Sequence, residues 1–133
     1  MTCYLIDTNV FLRAILDDHK IQSTKSKRFL TEIANTEKGT FYTTIFVIME
    51  IEFTLRSLYK FKKNDIADVI KSIINTPKLH VEEINLILKA LVKYEKLNVD
   101  FVDCLNDEKN YECKQIYSFD KDFDKLDSKR LEP

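Results

Sequence analysis

The chain has 133 residues, 44% of them hydrophobic and 32% charged, a size and balance that fit one globular domain and exclude a disordered chain. Twenty-one basic and 22 acidic residues leave a formal net charge of −1. That excludes a nucleic-acid binder built on a basic tail, while leaving room for local basic patches. A single glycine rules out both Gly-rich phosphate-binding fingerprints. Three cysteines with no C-x-x-C pair and only two histidines argue against structural zinc and for a reduced, cytoplasmic setting. No apolar run approaches the roughly 18–20 residues that span a bilayer, and Met1-Thr2-Cys3-Tyr4 lacks a basic, signal-like start. No membrane association is expected.

In chain order, Cys3-Tyr4-Leu5-Ile6 reads as a short buried strand ending at Asp7-Thr8-Asn9. Val10, Phe11, Ala14 and Ile15 then begin a helix, with Thr8 or Asn9 placed to cap it. A second helix is predicted over residues 21–34, with Phe29, Leu30 and Ile33 inward. Residues 41–44 form the next strand, and helices follow over 45–59 and 65–74. Leu79-His80-Val81 is a third strand. Ile84, Ile87, Leu88, Leu91 and Val92 mark a helix over 82–94, and another covers 101–111. Residues 115–119 make a fourth strand ending at Asp120, and Arg130-Leu131 a fifth. No repeat or linker divides the chain. The alternation predicts a single three-layer α/β domain with a mainly parallel sheet of four or five strands flanked by helices. In such sheets the working residues gather at the carboxyl ends of strands, where Asp7 and Asp120 both fall.

Four carboxylates stand out. Asp7 is either a helix N-cap or a strand-end metal ligand. Glu50 lies in Ile45-Phe46-Val47-Ile48-Met49-Glu50-Ile51-Glu52-Phe53, which is apolar nearly all round and so expected to be buried. An unpaired carboxylate there needs a cation. Glu52 has Arg56 at i+4 as a partner, whereas Glu50 has none on its own helix, so Glu50 is the candidate. Asp100 and Asp103 open the 101–111 helix; Asp100 suits the N-cap, and Asp103, flanked by Phe101, Val102, Cys104 and Leu105, is aimed inward. Asp120 heads the run Asp120-Lys121-Asp122-Phe123-Asp124; Asp122, Asp124 and the following Asp127 read as solvated turn charges. Two carboxylates ~5 Å apart repel by about 3 kcal/mol at an effective dielectric near 20. Four gathered on one rim therefore call for divalent cations, and hard oxygen donors select Mg²⁺ or Mn²⁺ over zinc. Such a site suits phosphoester hydrolysis.

The ordered set Asp7-Thr8-Asn9-Val10-Phe11-Leu12-Arg13-Ala14, Glu50, Asp100-Phe101-Val102-Asp103-Cys104-Leu105 and Tyr117-Ser118-Phe119-Asp120-Lys121-Asp122-Phe123 resembles the PIN-domain nucleases. Within them it looks most like the small VapC-type toxins of prokaryotic toxin–antitoxin pairs. The likeness runs nearly end to end. It implies a Mg²⁺- or Mn²⁺-dependent endoribonuclease, a homodimer, silenced by a cognate antitoxin. Its acids map to Asp7, Glu50, Asp103 and Asp120, with Asp122, Asp124 or Asp100 as auxiliaries. Thr8, Asn9 and Ser118 would orient the carboxylates. Cys104-Leu105-Asn106 replaces the family's usual small residues, and Asn110 or Glu112 stands where a glycine closes the helix; a left-handed Asn would serve.

RNA binding also needs cations. Lys20, Lys25, Lys27 and Arg28 form one basic stretch, and Arg56, Lys60, Lys62 and Lys63 another; each is either a solvated helix face or a phosphate contact. Lys25, Lys27, Arg28, Arg56 and Lys60 are the candidates. Tyr42, Tyr59 and Tyr94 either stack on bases or pack internally. Cys3, Cys104 and Cys113 are expected to be small buried groups, and His19 and His80 surface residues. Two other readings compete: a catalytically silent module binding RNA or a partner, and an aspartyl-phosphate phosphatase with Asp7 as nucleophile. The second suffers from Asn9 standing where such enzymes place another acid.

Overall fold

The structure, a computed structural model, describes residues 2–133. Five short strands alternate with six α-helices: β1 (Cys3–Leu5), α1 (Thr8–Leu16), α2 (Lys20–Glu32), β2 (Thr40–Thr43), α3 (Ile45–Ser57), α4 (Lys63–Ile74), β3 (Leu79–Val81), α5 (Ile84–Lys96), α6 (Phe101–Lys109), β4 (Gln115–Tyr117) and β5 (Lys129–Leu131). The α/β class and every anticipated element are present. The strands, however, pair as two parallel sheets, ordered β1-β2-β3 and β4-β5, rather than as one sheet of four or five. The chain also divides into two compact units, one up to Glu83 and one from Ile84 onward.

In the first unit, Tyr4 pairs with Phe41, and Phe41 with Leu79. β1 is an edge strand whose Cys3 and Leu5 are exposed, so the expected burial of this strand holds only for Ile6 just beyond it. Gly39 is required where the chain approaches β1. A Cβ there would collide with the Thr2 carbonyl oxygen and lie 2.8 Å from the Tyr4 ring. α1 stops at Asp17, which takes φ 52° and returns its N–H to the Arg13 carbonyl, a left-handed conformation that Asp tolerates. His19 then opens α2, its Nδ1 accepting from the Gln22 N–H over 3.1 Å. α2 turns Ser23 and Ser26 inward, while Phe29 stays partly exposed. Thr44 caps α3 by accepting from the Val47 N–H. α4 buries Ile66, Ala67, Ile70 and Ile73, the i, i+4, i+7 stripe of an amphipathic helix.

In the second unit, α5 buries Ile87, Ala90, Leu91 and Tyr94, and α6 buries Phe101, Cys104, Leu105 and Asp107. The Tyr94 and Phe101 rings meet edge to face, their centroids 5.4 Å apart. Tyr94 is therefore a core residue and no base-stacking platform. Asn110 ends α6 at φ −85°, not in the left-handed region. It acts through its side chain instead, donating to the Gln115 carbonyl and the Ser128 hydroxyl, each over 3.0 Å. Lys114 takes the positive φ ahead of β4. Only Cys104 of the three cysteines is buried; Cys3 and Cys113 are exposed. Among the described residues no helix is long and apolar enough to cross a membrane.

Candidate active site

The first unit places Asp7 directly beyond β1. The Ile6 N–H donates to the Tyr42 carbonyl over 2.9 Å, and the Thr43 hydroxyl donates to the Ile6 carbonyl over 3.0 Å. The strand end is thus pinned from β2 at the residue before the acid. Asp7 occupies the N-cap position of α1, yet its side chain makes no capping bond. Neither Thr8 nor Asn9 is the cap, because both already lie in the helix. Thr8 is buried and its hydroxyl donates to Glu50 Oε2 over 2.9 Å. The residue following the first acid therefore holds the second.

Glu50 is exposed, contrary to the burial expected of its apolar helix. The reason lies in which residues share its face. Phe46 and Phe53, four before and three after Glu50, are 73% and 58% exposed, so this stripe of α3 is apolar in composition but not covered by the described residues. The acid turned inward is Glu52, at 2% exposure, whose Oε2 accepts from Arg56 Nε over 2.8 Å. The cation that burial would have demanded beside Glu50 is replaced by a hydroxyl donor.

The second unit gathers another set of carboxylates. Asp100 caps α6 by position, and Asp103 follows in its first turn. Burial is the largest influence on the Asp103 carboxyl, followed by the charges of Asp120, Asp100 and Asp122 and a hydrogen bond with Asp120; together they push it up to about 6. Asp120 heads a 3-10 turn (Lys121–Lys125), and its Oδ1 accepts from the Asp122 N–H over 2.9 Å. The Asp120 N–H donates in turn to the Ser118 hydroxyl over 2.9 Å, so Ser118 braces the loop at β4.

The remaining acids are differently engaged. Asp124 holds Arg130 at 3.0 Å, Asp122 meets Lys125 at 3.4 Å, and Asp127 meets Lys93 at 2.9 Å. Asp100, Asp103 and Asp120 have no cationic partner among the described residues. No three His, Cys, Asp or Glu side chains among the described residues close up into a set that could hold an ion. Asp103 is nonetheless within hydrogen-bonding reach of Asp120, and the charges of Asp100 and Asp122 also bear on it.

The candidate RNA contacts are also differentiated. Lys27 is paired with Asp17 at 3.0 Å and Arg56 with Glu52, whereas Lys25, Arg28 and Lys60 are exposed. Tyr59 donates its hydroxyl to Asp18 over 3.2 Å. His19 and His80 are exposed, as anticipated.

One charged cluster lies outside the sequence-based expectations. Lys93 on α5 binds Asp107, Glu108 and Asp127, and the buried Asp107 also accepts from the Asp127 and Ser128 N–H groups over 3.2 and 2.7 Å. Asp107 follows Cys104 by three residues, on the stripe that also buries Phe101 and Leu105. Helical periodicity, rather than the apolar flanking residues that single out Asp103, would have found it.

A family model for the PIN domain matches residues 4–129; the chain belongs to the PIN-domain family, and the match runs across both units. It is also 30% identical over 132 residues to the VapC ribonuclease of Aquifex aeolicus (strain VF5), an alignment covering 97% of this chain and 96% of that protein.

Proposed function

We propose that the protein is a Mg²⁺- or Mn²⁺-dependent endoribonuclease that hydrolyses RNA phosphodiester bonds, and the toxin of a toxin–antitoxin pair. What most directly supports this reading is the gathering of Asp100, Asp103, Asp120 and Asp122 in one unit, where burial first and then the neighbouring carboxylates push Asp103 upward. Asp7, Glu50, Asp103 and Asp120 are the acids of this reading. The likeness to a VapC ribonuclease extends over the same residues.

All the donors in question are carboxylate oxygens, which fit a hard divalent ion. When bound, such an ion supplies charge neutralisation at the phosphate and an acidified water. The chain's own residues do the rest. Thr8 fixes the rotamer of Glu50 by donating to one oxygen, leaving the other without a partner among the described residues. Ser118 and the Asp122 N–H fix the direction of Asp120. Asp124 is committed to Arg130, so Asp120 is the acid of its loop best placed to act. No side chain is required as a nucleophile. Exposure of Glu50, Asp7 and Asp120 suits a polymeric substrate that must reach the acids from solvent. The uncovered Phe46 and Phe53 beside Glu50 suit a homodimer or antitoxin contact.

Cleavage of single-stranded RNA by purified protein, with Mn²⁺ and with chelator, tests the reading. Cleavage should need the metal and disappear in Asp7→Asn and Asp103→Asn variants that retain their circular dichroism. Full activity of both variants in chelator would overturn it.

A further inference from the structure

We propose that the cleft between α1 and α2 is a phosphate subsite that holds the RNA strand beside the acids of the first unit; the proposal rests on the nuclease reading above. The cleft is about 460 Å³ and is lined by Asn9, Val10, Arg13, Gln22, Lys25 and Ser26. Its two charged residues are both cations and no carboxylate lines it, although the chain as a whole is close to neutral.

Arg13 is prepared for an anion. Its Nη1 donates to both oxygens of Asp18 over 3.0 and 3.1 Å, and its Nε donates to Gln22 Oε1 over 3.0 Å. Those bonds fix the guanidinium plane and leave Nη2, with two N–H groups, without a partner among the described residues. Asp18 is itself held by the Tyr59 hydroxyl, so the support reaches the end of α3. Gln22, having turned its side-chain carbonyl oxygen to Arg13, has its side-chain N–H groups without a partner among the described residues. Lys25 is exposed and makes no ion pair among the described residues, unlike Lys27. A rigid fork next to a mobile ammonium is a donor set suited to a phosphodiester.

The position of the cleft identifies the anion. Asn9 lines it, and Asn9 directly follows Thr8, which holds Glu50, and stands two residues from Asp7. The cleft thus opens on the first turns of α1, the helix whose N-cap position is Asp7 and whose Thr8 holds Glu50, and a strand running along that helix would place a phosphate there. Arg13 belongs to this reading although it lies outside both basic stretches of the sequence, because its partners come from α2 and from the turn before it.

Anisotropy of a labelled single-stranded RNA oligonucleotide in chelator, across a salt series, compares wild type with Arg13→Gln and Lys25→Gln. Removing either cation should flatten the log–log salt slope by about 0.7 and weaken binding several-fold. In Mn²⁺, Lys25→Gln should raise KM with kcat within about twofold. Lys25 is solvent-exposed, so that variant remains informative if Arg13→Gln fails to fold. Unchanged slopes with wild-type cleavage intact would overturn the cleft alone. Flattened slopes with no metal-dependent cleavage by wild type would overturn the nuclease and leave the cleft standing as a binding site. Wild type that binds no RNA overturns both.

Discussion

The Thr8 hydroxyl reaches across 42 positions of sequence to donate to Glu50 Oε2 at 2.9 Å. It joins the first turn of α1 to the middle of α3 at the residue after Asp7. Thr8 is buried, so the bond is shielded on the donor side and sets the direction of a carboxylate otherwise open to solvent.

Thr8→Val keeps the shape and removes the donor. We expect a loss of about 1 kcal/mol in urea denaturation, typical of a neutral hydrogen bond. The drop in kcat should be about 10- to 100-fold, as for residues that orient metal-binding carboxylates. Thr8→Ser should restore most of the activity. Wild-type turnover by the valine variant would show that Glu50 needs no orientation.

Asp103 should make the protein's stability depend on pH when divalent ions are withheld. Its folded pKa, about 6, lies above the unfolded value near 3.9. The folded state therefore binds the proton more tightly. The associated stability is present below about pH 4 and is lost as pH rises through about 6. Discounted for solvent screening, the loss is about 1–2 kcal/mol. Thermal unfolding in chelator should show this decline in wild type and not in Asp103→Asn. Mn²⁺ should reverse it at pH 7. A flat profile for wild type would remove the raised Asp103 carboxyl, and with it the burial and crowding that cause it, from the account.

Lys93 and Asp107 carry a separate, structural burden. Desolvation raises the Asp107 pKa, but the hydrogen bonds from Lys93 and Ser128 outweigh it and hold the carboxyl below its usual range. Desolvation likewise opposes the Lys93 charge, while Asp107, Glu108 and Asp127 drive that pKa upward. Stability from the acid is present above pH about 4 and lost as pH falls through its depressed folded value; that from the lysine persists below about pH 10 and fades as pH rises through its elevated one. Lys93→Met should cost about 3 kcal/mol at pH 7, since it strands a buried carboxylate. The difference from wild type should shrink towards pH 3. Chemical denaturation at the two pH values measures it.

Gly39→Ala should destabilise the edge of the three-stranded sheet by about 1–3 kcal/mol, as overpacking does. The added methyl would strike the Thr2 carbonyl, which accepts from the Thr40 N–H over 3.0 Å. Faster amide exchange at Thr40 is the specific sign. Unaltered exchange and stability would show that β1 moves aside freely.

Much of the fold is legible in the sequence because periodicity and strand-end punctuation are local. The stripe in α4 and the break at Asp7 need no tertiary information. Strand pairing does: nothing in residues 115–119 says that their neighbour is β5 alone. The exposure of Glu50 is hidden for a related reason. A helix apolar all round has no local mark for the side left uncovered, and Phe46 and Phe53 read like core residues until their surroundings are seen. Asp103 stands out through its apolar neighbours. Arg13 does not, because its significance depends on Asp18 and Gln22, beyond the helix that carries it.

Glu52 and Glu50 are two residues apart, about 200° around a helix of 3.6 residues per turn. The inner one is locked to Arg56, so α3 cannot roll on its axis without dragging an ionised group through hydrocarbon. The bearing of the outer acid is therefore inherited from its neighbour's confinement. A one-residue insertion between Thr44 and Glu50 would swing both by about 100°, and the penalty for such a frame error falls on folding before it reaches chemistry.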